Sequence, residues 1–164
     1  MKKILLVRSA SYYQFEKNLA AVRNFFPEAE ISLIEHRARL TEARKFSGQI
    51  RQFLVYPSDG PFTATIPQDF EEGARFDDAI VQYANVDGEG HDNVNHFAFT
   101  LPADRIWFCN VDSEILPLTR MGYWSRKWFG RAKALLNLCW LLILTPVFIV
   151  AVPFVYFFKV KKEP

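Results

Sequence analysis

KILLVRSASYYQFEKNLAAVRNFFPEAEISLIE, Lys3 to Glu35, decides the fold. KILLVR (Lys3–Arg8) is a short apolar strand. The stretch after it, through Phe26, spaces Phe15, Leu19, Val22 and Phe26 by 4, 3 and 4, which makes one helical face. Pro27 ends that helix, because the residue before a proline is pushed out of helical backbone. EISLIE (Glu30–Glu35) is then a second strand. Strand, helix, strand at this spacing is a crossover between parallel neighbours.

The alternation continues outward. Leu40–Phe46 reads as a short polar helix closed by Gly48, and QFLVYP (Gln52–Pro57) as a third strand. Ser58–Phe70, with Gly60, Pro61 and Pro67, is a long loop, and a short helix is expected before Gly73. DAIVQYA (Asp78–Ala84) is a fourth strand, Asp92–Leu101 a helix stopped by Pro102, and RIWFCN (Arg105–Asn110) a fifth strand. Near-continuous apolar strands separated by helices imply α/β: a Rossmann-like open parallel sheet of about five strands, covered on both faces. Ligands of such sheets bind beyond the carboxyl ends of the strands. Here those ends are Ser9–Tyr13, Glu35–Arg39, Tyr56–Gly60, Asn85–His91 and Asn110–Glu114. Asp77 and Asp78 lie at the opposite end and read as turn residues.

The charge total hides two unlike parts. Residues 1–119 hold 12 basic and 17 acidic residues, and residues 120–164 hold 8 and 1. The boundary separates a Rossmann-like domain, 1–119, from a C-terminal region with three sections. Leu135–Phe158 (LLNLCWLLILTPVFIVAVPFVYFF) is 24 residues without a charge. A helix of that length reaches roughly 36 Å, against a hydrocarbon core of about 30 Å. The rest of the chain is too small to wrap a helix apolar on every side. A membrane helix is therefore expected at 135–158, either a kinked single pass or a re-entrant hairpin, since Pro146 and Pro153 each remove a backbone donor. The single pass is the preferred shape. Before it, 120–134 interleaves Tyr123, Trp124, Trp128 and Phe129 with cations, and Trp124, Arg126, Lys127, Trp128 and Arg131 are the candidate interface residues. The basic tail 159–164 carries Lys159, Lys161 and Lys162. Arg131 falls about 20° from Trp124 on a helical wheel, so the collar does not separate two clean faces. Membrane lipid is the expected partner. Nucleic acid is not, because the membrane segment already accounts for basic and aromatic residues side by side.

Other classes drop out. Two cysteines exclude a disulfide-dense scaffold and a four-cysteine zinc site, and Cys109 and Cys139 are expected as free thiols. MKKILLVRSA offers only Ile4–Val7 before Arg8, too short for a secretory signal, so the first domain is expected in the cytoplasm. RSASYYQFEK, after the first strand, has no glycine, which removes the dinucleotide fingerprint and the phosphate loop; no cofactor is expected. Glu35 stands where a ribose-binding acid can stand but reads as a solvated carboxylate. NVDGEGHDNVNH (Asn85–His96) fails the calcium-loop pattern, with Asp92 where glycine is needed. His91 and His96 are five apart, not four, and no metal is expected. The segment reads as a glycine turn into a helix start at a carboxyl end. His36, Arg37 and Arg39 form a basic cluster, read first as a solvated helix start and second as a phosphate holder. Ser9 and Ser11 have no nearby base, and no nucleophile elbow occurs. The ligand-binding candidates are Ser11, Tyr13, Gln14, Asn85, Glu89 and His91; no catalytic residue is identified.

Three phrases together carry a family likeness: KILLVRS, AAVRNFFPEAEISLI and DDAIVQYANVDGEGHDNVNHFAFTLPADRIWFCN. In this order, over residues 2–114, the chain resembles the N-terminal, acceptor-binding domain of heptosyltransferase-type glycosyltransferases of the GT-B class. The resemblance implies a Rossmann-like half whose partner half binds a sugar nucleotide. The family carries a Gly-Asp pair after the first strand, its aspartate implicated as a general base. Counting from the strand puts that pair at Tyr13 and Gln14, and counting back from Pro27 puts the aspartate near Ser11. Neither register supplies a carboxylate, and glutamine cannot accept a proton as aspartate does. Glu16 is the nearest acid. A donor domain has no counterpart in these residues, and the membrane segment stands in its place. The expectation is a membrane-anchored glycosyltransferase-like half domain for cell-envelope polysaccharide or glycolipid synthesis. It would bind a lipid-linked acceptor and act with a donor-binding glycosyltransferase chain. The alternative is a non-catalytic membrane adaptor that recruits proteins.

Overall fold

A computed structural model describes the chain except Pro67, Asp69, Glu72 and residues 161–164; of residues 126, 147, 148 and 150–160 it describes the backbone alone. Two units result, Met1–Thr119 and Arg120–Pro164.

The first unit is a six-stranded sheet in the order β3-β2-β1-β4-β5-β6. Its strands are β1 (Lys3–Val7), β2 (Glu30–His36), β3 (Gln52–Tyr56), β4 (Phe76–Gln82), β5 (Ala103–Cys109) and β6 (Ile115–Pro117). The first five pair in parallel, and β6 runs antiparallel to β5. The sheet is therefore mixed and one strand larger than expected. β1 sits at the centre, and Ile4, Leu5, Leu6 and Val7 have no exposed surface. A strand apolar on both faces is stable only in such a covered position.

Helix α1 (Tyr12–Phe25) covers one face. Ser11 caps it, its hydroxyl accepting from Gln14 N at 3.3 Å. Phe15, Leu19 and Val22 pack with Ile4, Leu6, Ile31, Leu33 and Ile80. In the last turn of α1, Arg23 donates to the carbonyl of Ala29 at 2.7 Å and fixes the return into β2. On the other face α3 (Asp92–Ala98) brings Phe97 against Tyr56 and Phe62, with ring centroids 5.4 and 5.3 Å away. Between β2 and β3 the chain forms one α-helical turn, α2 (Leu40–Ala43), flanked by 3-10 turns at Arg37–Arg39 and Arg44–Phe46. The short helix expected before Gly73 does not occur among the described residues.

Asp78 corrects the sequence reading. It is a fully buried residue inside β4, not a turn residue. Its carboxylate accepts from Trp107 Nε1 at 2.7 Å and from Arg105 Nη2 at 2.9 Å, with Lys2 Nζ 3.6 Å away. The register that pairs Asp78 with Arg105 creates this cluster.

The second unit is one continuous helix, α4 (Arg120–Val160), 41 residues long. It passes Pro146 and Pro153 with no turn between its halves, so the hairpin alternative is not adopted. Thr145 Oγ1 donates to the carbonyl of Leu141 at 2.6 Å, beside the turn where Pro146 withdraws its own donor. The described apolar side chains Leu135, Leu136, Leu138, Leu141, Leu142, Ile143 and Ile149 are all exposed. Among the described residues no helix is long and apolar enough to cross a membrane. The side chains of much of the second half of Leu135–Phe158, and the tail residues Lys161 and Lys162, lie outside them.

Removing the Asp78 carboxylate leaves the part-buried Trp107 Nε1 and the exposed Arg105 guanidinium without their acceptor. Asp78→Ala is expected to cost about 3 kcal/mol. Asp77→Ala, which loses only an exposed acceptor for Lys3 N, should cost less than about 1 kcal/mol. Urea unfolding of the full chain, followed by circular dichroism, compares the two; equal losses would contradict the assignment.

Candidate functional site

A cleft of about 620 Å³ opens at the carboxyl ends of the parallel strands. Four connections line it. After β1 come Arg8, Ser9, Ala10 and Ser11; after β2, His36, Ala38 and Arg39; after β3, Asp59 to Phe62; after β4, Gly90, His91, Asn93 and Val94. The sheet order explains the location. From β1 the chain builds outward to β2 and β3, then returns to place β4 on the other side of β1. The connections after β1 and β4 diverge there, and the gap is the crevice such sheets use for ligands.

The floor is a buried ion pair. Arg8 is 4% exposed and Glu35 not at all. Arg8 Nη2 donates to Glu35 Oε1 at 2.8 Å, and Arg8 Nε donates to Oε2. The same carboxylate accepts from His36 N at 2.7 Å. Tyr12 OH lies 3.0 Å from Glu35 Oε2 and 2.7 Å from the carbonyl of Arg39, sharing its proton between them. Burial opposes the Arg8 charge, but the hydrogen bond and Coulomb attraction of Glu35 outweigh it and hold Arg8 above the ordinary arginine value. Burial and the Glu35 charge raise Tyr12 well beyond an ordinary phenol, so it stays a donor. Glu35, expected as a solvated carboxylate, is instead the anchor of the cleft floor.

Two histidines reach the cleft in different states of engagement. His36 Nδ1 lies 2.9 Å from the carbonyl of Ser58 and donates to it; its ring rests on Phe62 with centroids 4.5 Å apart. Its Nε2 has no partner among the described residues. His91 uses both nitrogens on its own loop. Nδ1 donates to the carbonyl of Glu89 at 3.1 Å, and Nε2 accepts from Ala84 N at 3.4 Å. Only its ring edge and face are left for the cleft.

Of the six ligand-binding candidates, the structure brings Ser11 and His91 together and separates the rest. Tyr13 is 71% exposed and lies under Lys17, whose Nζ is 4.4 Å from its centroid. Gln14 is buried and donates to Asn18 Oδ1 and to the carbonyl of Val111, both at 2.8 Å. It ties α1 to the loop before β6, and both protons of its amide are used there. Asn85 builds its loop, donating to the carbonyl of Glu89 at 2.7 Å and accepting from Gly88 N at 2.9 Å. Glu89 is exposed and outside the lining. Gly88 has φ 79°, and a Cβ there would stand 2.3 Å from a Tyr83 ring carbon, so the turn needs glycine. The fifth carboxyl end, Asn110–Glu114, is consumed by the hairpin into β6: Asn110 Oδ1 accepts from Asp112 N at 3.0 Å and Glu114 N at 2.9 Å.

Sequence reading passed over Arg8, Asp59 and Asn93. Arg8 had a signal. It follows the last apolar residue of β1 as Glu35 follows that of β2, one step beyond the pair Val7 and Ile34. Asp59 sits in a turn-like Ser-Asp-Gly run with nothing to distinguish it. Among the described residues no group of three or more His, Cys, Asp or Glu side chains is placed to hold a metal ion. Among the described residues, the unengaged polar groups of the cleft include the Arg39 guanidinium, the Asp59 carboxylate, the Asn93 amide, His36 Nε2 and the Ser11 hydroxyl proton. That set can bind a polar ligand. It places no carboxylate in the connection after β1, where the glycosyltransferase likeness requires its base.

No family model, curated protein or solved structure matches the chain.

The buried pair yields a test. Glu35→Leu alone strands a buried guanidinium and is expected to cost about 3–5 kcal/mol. Arg8→Met combined with Glu35→Leu removes both charges and should recover most of that loss. Equilibrium unfolding of both variants checks it; a double variant as unstable as the single one would show that the pair does not act as a unit.

Proposed function

We propose that this chain is a membrane-associated, glycosyltransferase-like half domain that binds an acceptor. In this reading it serves cell-envelope polysaccharide or glycolipid synthesis beside a donor-binding glycosyltransferase chain. The observation that carries the reading is the cleft at the sheet's switch point, lined by polar groups from four carboxyl-end connections. Its volume lies within the range of small-molecule sites, about 300–1,000 Å³. The sequence likeness over residues 2–114 supplies the class of chemistry.

Membrane association is supported by α4. Trp124, Trp128 and Phe129 are exposed at 47%, 66% and 76% among the cations Arg126, Lys127 and Arg131. Lys127 Nζ lies 5.6 Å from the Tyr123 centroid and 5.7 Å from that of Trp124. Aromatic rings and long cationic side chains share headgroup depth in bilayers. Beyond them stand exposed leucines with no protein covering among the described residues. A domain tethered to the bilayer meets a lipid-linked acceptor at high effective concentration.

A second reading, the non-catalytic adaptor, is favoured by one observation. Of the two positions that the registers give for the family's aspartate, Gln14 donates in buried hydrogen bonds and Ser11 caps α1, and neither is a carboxylate. The chain then has no base of its own at that place, and catalysis would need a group from the partner.

Two measurements test these readings. Cys109 is fully buried and its thiol is pushed up to about 12 by burial, so near pH 7.5 it stays protonated and shielded. Cys139 on α4 is exposed and becomes the sole reporter. In liposomes holding the full chain, a charged, impermeant maleimide should leave Cys139 unlabelled until detergent is added; rapid labelling in intact liposomes would refute bilayer insertion. A mild-detergent pull-down should recover a donor-binding glycosyltransferase, with sugar-nucleotide binding confined to the pair. Donor binding by the purified chain alone would overturn the half-domain reading, and recovery of only unrelated membrane proteins would favour the adaptor.

A further inference from the structure

We infer that the cleft takes a monophosphorylated sugar, its phosphate on the side formed by Arg39 and Ser11 and its hydroxyls toward Asp59 and Asn93. The inference rests on the ligand-binding reading of the cleft and names the ligand class.

The charges decide it. Two guanidinium groups line the cleft, but Arg8 is neutralised by Glu35 at 2.8 Å and contributes no net charge. Arg39 is exposed and makes no ion pair or side-chain hydrogen bond among the described residues, so its five donors are open. It is held in place from the backbone, since its carbonyl accepts from Tyr12 OH at 2.7 Å. A planar, unpaired guanidinium on a fixed backbone suits bidentate contact with phosphate. Ser11 lies on the same cleft. Its oxygen accepts from Gln14 N, which leaves its proton free to donate. Helix α1 begins at the next residue, and Tyr12 N and Tyr13 N have no acceptor among the described residues. The field of its 14 residues favours an anion there and reinforces Arg39. His36 lines the same cleft, with Nε2 unengaged among the described residues.

Asp59 limits the anion. It lines the same cleft, exposed and without a partner among the described residues. A carboxylate in a cleft with a single free guanidinium disfavours a second phosphate there. The same carboxylate, with Asn93, accepts and donates as sugar hydroxyls require. One anionic end and one hydroxyl-rich body are the chemistry this lining recognises, whether the sugar phosphate is free or is the headgroup of a lipid.

Titration calorimetry on the full chain in nanodiscs tests this with glucose, glucose 6-phosphate and inorganic phosphate. Glucose 6-phosphate should bind at least about tenfold tighter than either of the others, as a charge-assisted bidentate contact adds to the hydroxyl contacts. Arg39→Gln should remove that advantage, bringing glucose 6-phosphate to about the affinity of glucose for the same variant, while Arg37→Gln, outside the lining, should do nothing. Asp59→Asn should weaken glucose and glucose 6-phosphate alike and let glucose 1,6-bisphosphate bind. Arg39 is exposed, so the variant folds, which circular dichroism confirms. An alkyl glucoside 6-phosphate embedded in the nanodisc separates the sources: tighter binding than the free sugar phosphate assigns a lipid headgroup, and equal binding a soluble sugar phosphate. Equal affinity for glucose and glucose 6-phosphate, or an Arg39→Gln variant that binds as the parent does, overturns the phosphate subsite and spares the acceptor reading. Binding of none of these compounds overturns both.

Discussion

A carboxylate with no exposed surface sits at the carboxyl end of β2, and the loops of the site are organised around it. Burial of an unpaired charge is prohibitive, so Glu35 requires the Arg8 guanidinium at the matching end of β1. The pair fixes more than two side chains. Tyr12, at the start of α1, leans on it through its hydroxyl, and Arg8 lies 4.4 Å from the Tyr12 ring centroid. The amide of His36 closes onto the other oxygen. One ion pair therefore sets where α1 begins, where β2 ends and where Arg39 emerges. Buried pairs of this kind seldom add net stability over an apolar substitute, and their retained value is positional. Here the position they define is the rim of the cleft.

The parallel part of the fold was legible because it depends on signals that are local and periodic. The steps from Phe15 to Phe26 name the buried face of α1, and unbroken apolar runs name strands covered on both sides. What the sequence concealed depends on register. Asp78 looks like half of a turn until β4 is aligned with β5, and then it stands opposite Arg105 with Trp107 two residues on. β6 escaped notice because three residues ending in Pro117 carry no strand period, and proline is admitted only at an edge. The site was less legible than the fold. Gln14 and Asn85 look like free polar side chains at ligand-binding ends, yet their amides satisfy backbone groups from distant segments or their own turn. A polar residue in a sequence does not reveal which buried donor it must answer.

That distinction bears on the glycosyltransferase likeness. The phrases that carry it, from KILLVRS to RIWFCN, are mostly those that build β1, α1, β2, β4 and β5. They constrain a scaffold, and scaffolds of this kind host many activities. The resemblance puts the family's aspartate just after β1, at Gln14 in one register and near Ser11 in the other, and neither is a carboxylate. Gln14 there is a structural tie between α1 and the hairpin before β6. The cleft is lined by Arg39, Ser11, Asp59 and Asn93, but neither position that the resemblance gives for the family's base is a carboxylate.

Under the proposed acceptor reading, α4 has a task. A binding cleft gains from being held where its ligand and a second polypeptide would both be concentrated. The C-terminal unit has the composition for that task, with 8 cations against 1 acid and rings exposed between them. Exposed leucines along a helix are costly in water at roughly 25 cal/mol per Å², and a lipid phase or a partner helix removes that cost. Both occupants are apolar, but only the first also calls for tryptophans and cations at the start of the helix. Charge and aromatic placement thus favour a lipid surface over a protein groove as the environment to which α4 is fitted.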